Sequence, residues 1–169
     1  MQIEKHGYTF EVETQPDEHM QAPWKEHDGH GPVSDWRPED SKRPEERILH
    51  QDRSSCLFYD WDEAVQIAKR DGWGTADGRQ PGETAGAYAV RAVQADYDYL
   101  ARYCRGDWSY VDVIVTLLDE DGRPTEEREV LGAVENIDTK YVLEVANDLI
   151  DEILARIEVA QPDVVLSEN

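Results

Sequence analysis

The strings WSYVDVIVTLL at residues 108–118, DEDGRPTEE at 119–127 and REVLGAVEN at 128–136 decide the fold. In the first, Val111, Val113, Val115 and Leu117 fall on one face and Tyr110, Asp112, Ile114 and Thr116 on the other. That is the two-residue period of a strand, carried by β-branched and aromatic residues. The acidic string around Gly122 is a turn, and the third string brings the chain back, so a long antiparallel hairpin is expected over 108–135. Asp119 and Asp121 before Gly122 have the spacing that opens a calcium loop. The third oxygen ligand before the glycine and the terminal Glu at its offset are missing, which leaves the turn as the reading.

Outward from the hairpin, residues 139–158 place Val142, Val145, Leu149, Ile150, Ile153, Leu154 and Ile157 on one helical side. On its N-terminal side, 84–104 aligns Val90, Val93, Tyr97, Leu100 and Cys104 at helical spacing. DWDEAVQIAKRDG predicts a third helix over 61–70, with Asp60 and Glu63 in a capping-box pattern and Gly72 as its stop. YTFEVET (8–14) and CLFY (56–59) read as strands. Between them, residues 15–53 carry five prolines, Pro16, Pro23, Pro32, Pro38 and Pro44, and no sustained period. The expectation is an irregular Pro-rich loop packed by Trp24 and Trp36. The expected class is α+β: an antiparallel sheet of three to four strands, two long helices packed on it, and this long N-terminal loop. Residues 1–169 are taken as one domain, with 160–169 a frayed tail.

Charge limits the function. Thirty-eight Asp and Glu stand against 17 Lys and Arg, a net of −21 and a pI of about 4.4. Affinity for nucleic acid or anionic membranes rests on Lys and Arg neutralising phosphates, so direct binding to either is excluded as an expectation. No apolar run approaches the ~18 residues of a membrane span. With two cysteines, Cys56 and Cys104, and no signal segment before them, a reducing, cytosolic setting is expected.

The excess acid is uneven: residues 107–169 hold 17 acidic and 4 basic side chains. On the last helix Glu144, Asp148, Asp151 and Glu152 lie opposite the apolar side, and the turn and returning strand add Asp119, Asp121, Glu126 and Glu127. These eight are the candidate partner-binding residues, an extended anionic surface for a protein that normally holds nucleic acid. The plainer reading is a solvated face, yet −21 exceeds the magnitude of about 2 to 8 that suffices for solubility of a small domain. Self-repulsion on that scale destabilises a compact chain. Adaptation to high salt is a further reading, which 5 Lys against 12 Arg suits.

EHDGHGP offers His27, Asp28 and His30 as metal ligands, the basis of an alternative reading as a metal-dependent enzyme or metal-stabilised module. HxxH alone is unspecific, and a turn in which Gly29 and Gly31 supply permissive backbone angles is the preferred reading. GWGTADG lacks the spacing of a nucleotide-binding loop and follows a helix rather than a strand. The two cysteines read as core residues, and Arg105-Gly106-Asp107 as a helix-ending turn. No cofactor is expected. Trp24 and Trp36 are candidate apolar anchors for a protein partner.

PWKEHDGHGPVSDWRPEDSKRPEERIL, YDWDEAVQIAKRDGWG and RAVQADYDYLARYCRGDWSYVDVIVTLLDEDG together resemble a family of small uncharacterised acidic proteins of tailed bacteriophages of Gram-negative bacteria, over about residues 8–135. The resemblance brings no catalytic residues with it. It implies the cytoplasm of an infected host cell and a non-enzymatic accessory role. That role is to bind a host or phage protein, plausibly as a DNA mimic inhibiting a nucleic-acid-binding defence enzyme. The remaining alternative is a structural or oligomeric phage protein whose acids only solubilise it.

Overall fold

A computed structural model describes residues 1–160. The frayed tail expected from 160 lies outside the described residues beyond Ala160, through which the last helix runs. The chain folds into two compact units, one formed by Met1–Met20 with the segment from Ser109 onward, the other by Gln21–Trp108. In chain order the second is inserted between two strands of the first.

The first unit is built on the hairpin. β1 (Gln2–Lys5), β2 (Tyr8–Pro16), β6 (Tyr110–Leu118) and β7 (Pro124–Glu135) form an antiparallel sheet in the order β1-β2-β6-β7. β2 pairs with β6 so that Phe10 faces Leu117 and Val12 faces Val115. α4 (Thr139–Ala160) packs its apolar side on these residues, and Val145, Leu149, Ile150, Ile153 and Leu154 share one core with Phe10, Val12, Val113 and Val115. β1 is an addition to the expected strands. Four residues are too few to show a period, but His6 and Gly7 both have positive φ, the backbone of a two-residue hairpin turn. In β7 a bulge near Gly132 leaves Ala133 at φ 57°, with its amide donating to Asp17 Oδ2 at 2.9 Å. That bond, with the His19 amide, holds the Asp17 carboxyl below its usual range.

The second unit has its own sheet and core, and here the expected loop is corrected. Residues 15–53 supply the end of β2, a short helix α1 (Pro23–Glu26), β3 (Arg37–Pro38), a 3₁₀ turn at Glu39–Ser41 and β4 (Glu46–Asp52). β3 and β4 flank β5 (Ser55–Asp60), all antiparallel. β4 hid from the period-two pattern because a register shift between Ile48 and His50 breaks the alternation. α2 (Trp61–Asp71) starts where Asp60 accepts the Glu63 amide and ends at Gly72, φ 69°, as the sequence predicted.

α3 (Ala85–Cys104) is a helix as expected, but its core is that of the second unit. Ala89, Val93, Leu100 and Ala101 pack with Leu49, Leu57, Tyr59, Ala64 and Ala68 of β4, β5 and α2, while α4 supplies the helical layer on the four-stranded sheet. Its buried stripe is also rotated from the predicted one: Val90 is 41% exposed, and the small Ala89 and Ala92 are inside. Alanines facing the alanines of α2 let the two helices approach, a gain that hydrophobicity alone does not register. No helix among the described residues is long and apolar enough to cross a membrane.

Candidate functional site

All eight predicted acidic residues fall in the first unit. Glu144, Asp148, Asp151 and Glu152 are exposed along α4, opposite its buried side. Asp119, Asp121 and Glu126 are exposed on the hairpin, and Glu127 is half-buried. Their side chains are in different states. Asp119 Oδ1 accepts the amides of Asp121 and Arg123, at 2.9 and 2.8 Å, so this carboxylate closes the turn. Asp121 pairs with Arg123 at 3.1 Å, Glu144 with Lys140 at 3.5 Å and Asp151 with Lys5 at 2.6 Å. Glu127 and Glu129 share Arg156, which ties α4 to β7. The side chains of Glu126, Asp148 and Glu152 have no hydrogen bond or ion pair among the described residues.

The HDGH segment belongs to a different construction. Asp96, on α3, has its side chain only 9% exposed and takes three donors. Oδ1 accepts from His30 Nδ1 at 2.6 Å, and Oδ2 accepts from the Gly31 amide at 2.9 Å and the Tyr59 hydroxyl at 2.7 Å. A carboxylate only accepts, so the His30 proton sits on Nδ1. The ring is stacked on Tyr99, centroids 5.5 Å apart. Burial, then the Asp96 charge and its hydrogen bond, push the Tyr59 hydroxyl far above its ordinary range, so it stays a donor.

This geometry bears on the metal reading of His27, Asp28 and His30. His30 is held by Asp96, the His27 ring lies 6.5 Å from it, and no group of three or more His, Cys, Asp or Glu among the described residues is arranged to hold a metal ion. The cluster fastens the 27–31 segment to α3 and β5. Asp96 and Tyr59 escaped the sequence reading because their partners stand 65 and 37 positions away along the chain.

The two tryptophans separate. Trp24 is half-buried, edge-on to Tyr103 and packed against the second unit's core. Trp36 is 49% exposed, edge-on to His50. Both line an open cavity of about 330 Å³ with Lys25, Asp35 and Leu57, so only Trp36 keeps the character of an exposed anchor.

Two further ion clusters are structural. Glu46 is buried, which pulls its carboxyl up, but Arg37 at 2.6 Å and the Arg43 amide at 2.8 Å outweigh that, and the net shift is downward. Arg91 reaches Glu83, Asp77, Thr75 and the Gly78 carbonyl, closing the connection between α2 and α3. Both carboxyls are held down to about 2, Glu83 first by its bond to Arg91 and Asp77 by Thr75 and then Arg91. Cys56 and Cys104 are free thiols raised by burial, Cys104 to about 11, which suits core residues rather than nucleophiles. Compared with protein-family models, curated proteins and solved structures, the chain matches none.

Proposed function

We propose that the protein is a non-enzymatic binding protein whose acidic unit occupies the basic, nucleic-acid-binding surface of another protein, as a DNA mimic. One observation carries this reading: the charge segregates with the units. Residues 1–20 and 109–169 hold 21 acidic and 5 basic side chains, a net of −16, whereas residues 21–108 hold 17 and 12, a net of −5. Solubility alone calls for no such division. The exposed carboxylates at 144, 148, 151 and 152 run along roughly 12 Å of helix at ~1.5 Å per residue. Their spacing is of the order of the ~3.4 Å between phosphates on a nucleic-acid strand. Facing Lys and Arg of a partner, such an array gives fast, salt-sensitive association. The sequence resemblance to phage proteins makes a host defence enzyme the target of choice, in the infected cell's cytoplasm.

The test uses Asp148→Lys with Glu152→Lys, two exposed carboxylates without partners among the described residues, so the fold is not touched. Immobilised wild type should retain a nucleic-acid enzyme from host lysate, release it at moderate salt and lose it to competing duplex DNA. The double variant should retain little of it. Equal retention by both proteins, or release unaffected by DNA, removes the mimic and leaves the acids as a solubilising surface.

A further inference from the structure

A cavity of about 310 Å³ opens in the second unit between the end of α2 and the first turns of α3. Trp73 and Tyr88 give it aromatic walls, buried Ala68 and Ala89 an apolar floor, and Lys69 and Arg79 line it from the exposed side. The two cations put local positive charge at the cavity in a chain with more than two acids for every base. Like seven other Lys and Arg side chains among the described residues, neither forms an ion pair. The Lys69 side chain has no hydrogen bond or ion pair among the described residues. Arg79 gives its Nε to the Glu83 backbone carbonyl at 2.7 Å, and its charge also acts on the Glu83 carboxylate without an ion-pair contact.

The cavity has room next to those charges. Gly86, in the first turn of α3, leaves the wall open: a Cβ placed on it would meet only Lys69 Cε, at 4.0 Å. The same turn carries the partial positive charge of a 20-residue helix, which adds to the two cations without being needed for the argument. Tyr88 is fixed in place, since its hydroxyl accepts the Thr75 amide at 3.1 Å. An apolar, aromatic-walled cavity with convergent cations, at the low end of the roughly 300–1,000 Å³ of small-molecule sites, calls for a ligand with one planar ring system and one acidic group.

We propose that this cavity binds a small organic anion, a planar ring packed on Trp73 and Tyr88 with its phosphate or carboxylate against Lys69 and Arg79. A polymeric nucleic acid is excluded by the net charge of −21, but a single small anion has only the local field to meet. The site is independent of the acidic unit and of the function proposed for it.

The test is a proton–nitrogen NMR titration of the full chain with two probes, adenosine monophosphate for a phosphate-bearing ring and indole-3-acetate for a carboxylate-bearing one. Adenosine and inorganic phosphate serve as controls. Shifts confined to Lys69, Trp73 and residues 85–89, saturating at or below roughly 1 mM for one probe, are expected. The Lys69→Ala, Arg79→Ala double variant should weaken that probe about tenfold or more. Gly86→Leu should fill the cavity and abolish the shifts at unchanged melting temperature, and if it misfolds the cation variant still decides. No saturable shift from either probe, shifts elsewhere, or equal affinity in the cation variant overturns the site. Inorganic phosphate reproducing the same shifts at the same concentration overturns the role of the ring, and adenosine matching its monophosphate overturns that of the charge.

Discussion

At the scale of single residues, the second unit turns on one carboxylate. Asp96 satisfies a ring nitrogen and a backbone amide from the 27–31 segment and a phenol from β5. Each bond depends on close approach, and Gly31 is where the approach is tightest: a Cβ there would lie 2.3 Å from the Tyr59 hydroxyl. Tyr59 is fully buried and cannot yield without giving up its bond to Asp96. Gly31→Ala should therefore cost about 2 kcal/mol or more, as overpacking with a lost buried hydrogen bond. Urea denaturation measures it, and a midpoint within error of wild type would show that the segment gives way easily. The sequence marked His30 as a residue of interest, and the structure gives it a carboxylate partner. Spacing within EHDGHGP suggests a ligand set, and nothing local discloses that the proton acceptor for His30 lies on a helix 66 positions later.

At the scale of elements, the connection from α2 to α3 is rich in glycine, and Arg91 gives it its shape through Asp77, Glu83, Thr75 and the Gly78 carbonyl. The sign of its pH response follows from the depressed carboxyls. Asp77 and Glu83 titrate at about 2 in the folded chain, against roughly 4 when unfolded. Their stabilisation is complete above about 4 and is lost as pH falls through the folded values near 2. Limited proteolysis by an acid-active protease should find residues 75–83 increasingly accessible over that window. Arg91→Ala should leave them accessible at pH 5 as well; if wild type and variant are cut alike at every pH, the clamp does not hold the connection.

At the scale of the whole molecule, charge is unevenly distributed between two cores. Repulsion among the acids of residues 1–20 and 109–169 opposes that unit's folding more than the near-balanced charges of residues 21–108 oppose theirs. Salt shortens the Debye length from about 10 Å at 0.1 M to about 3 Å at 1 M. Raising salt over that range should slow amide exchange in β6 and α4 by a larger factor than in α3 and β5. An equal change in both would mean that the segregation has no energetic consequence. The hairpin, the three long helices and the acidic stripe of α4 were legible in the sequence because each is local. Period two, period 3.6, a cap at Asp60 and a stop at Gly72 are written in neighbouring residues. Which sheet α3 covers was not legible, because amphipathicity says that a face is buried and not against what. Nor was β4, whose bulge interrupts the alternation that reveals a strand. By itself, the sequence determined the α+β class, the charge, the hairpin and the three long helices, all set by interactions among neighbours. Only the tertiary structure decided the division into two cores, the binding of His30 to Asp96 and the cavity that sets Lys69 and Arg79 beside Trp73, because these depend on pairings between distant residues that no local period encodes.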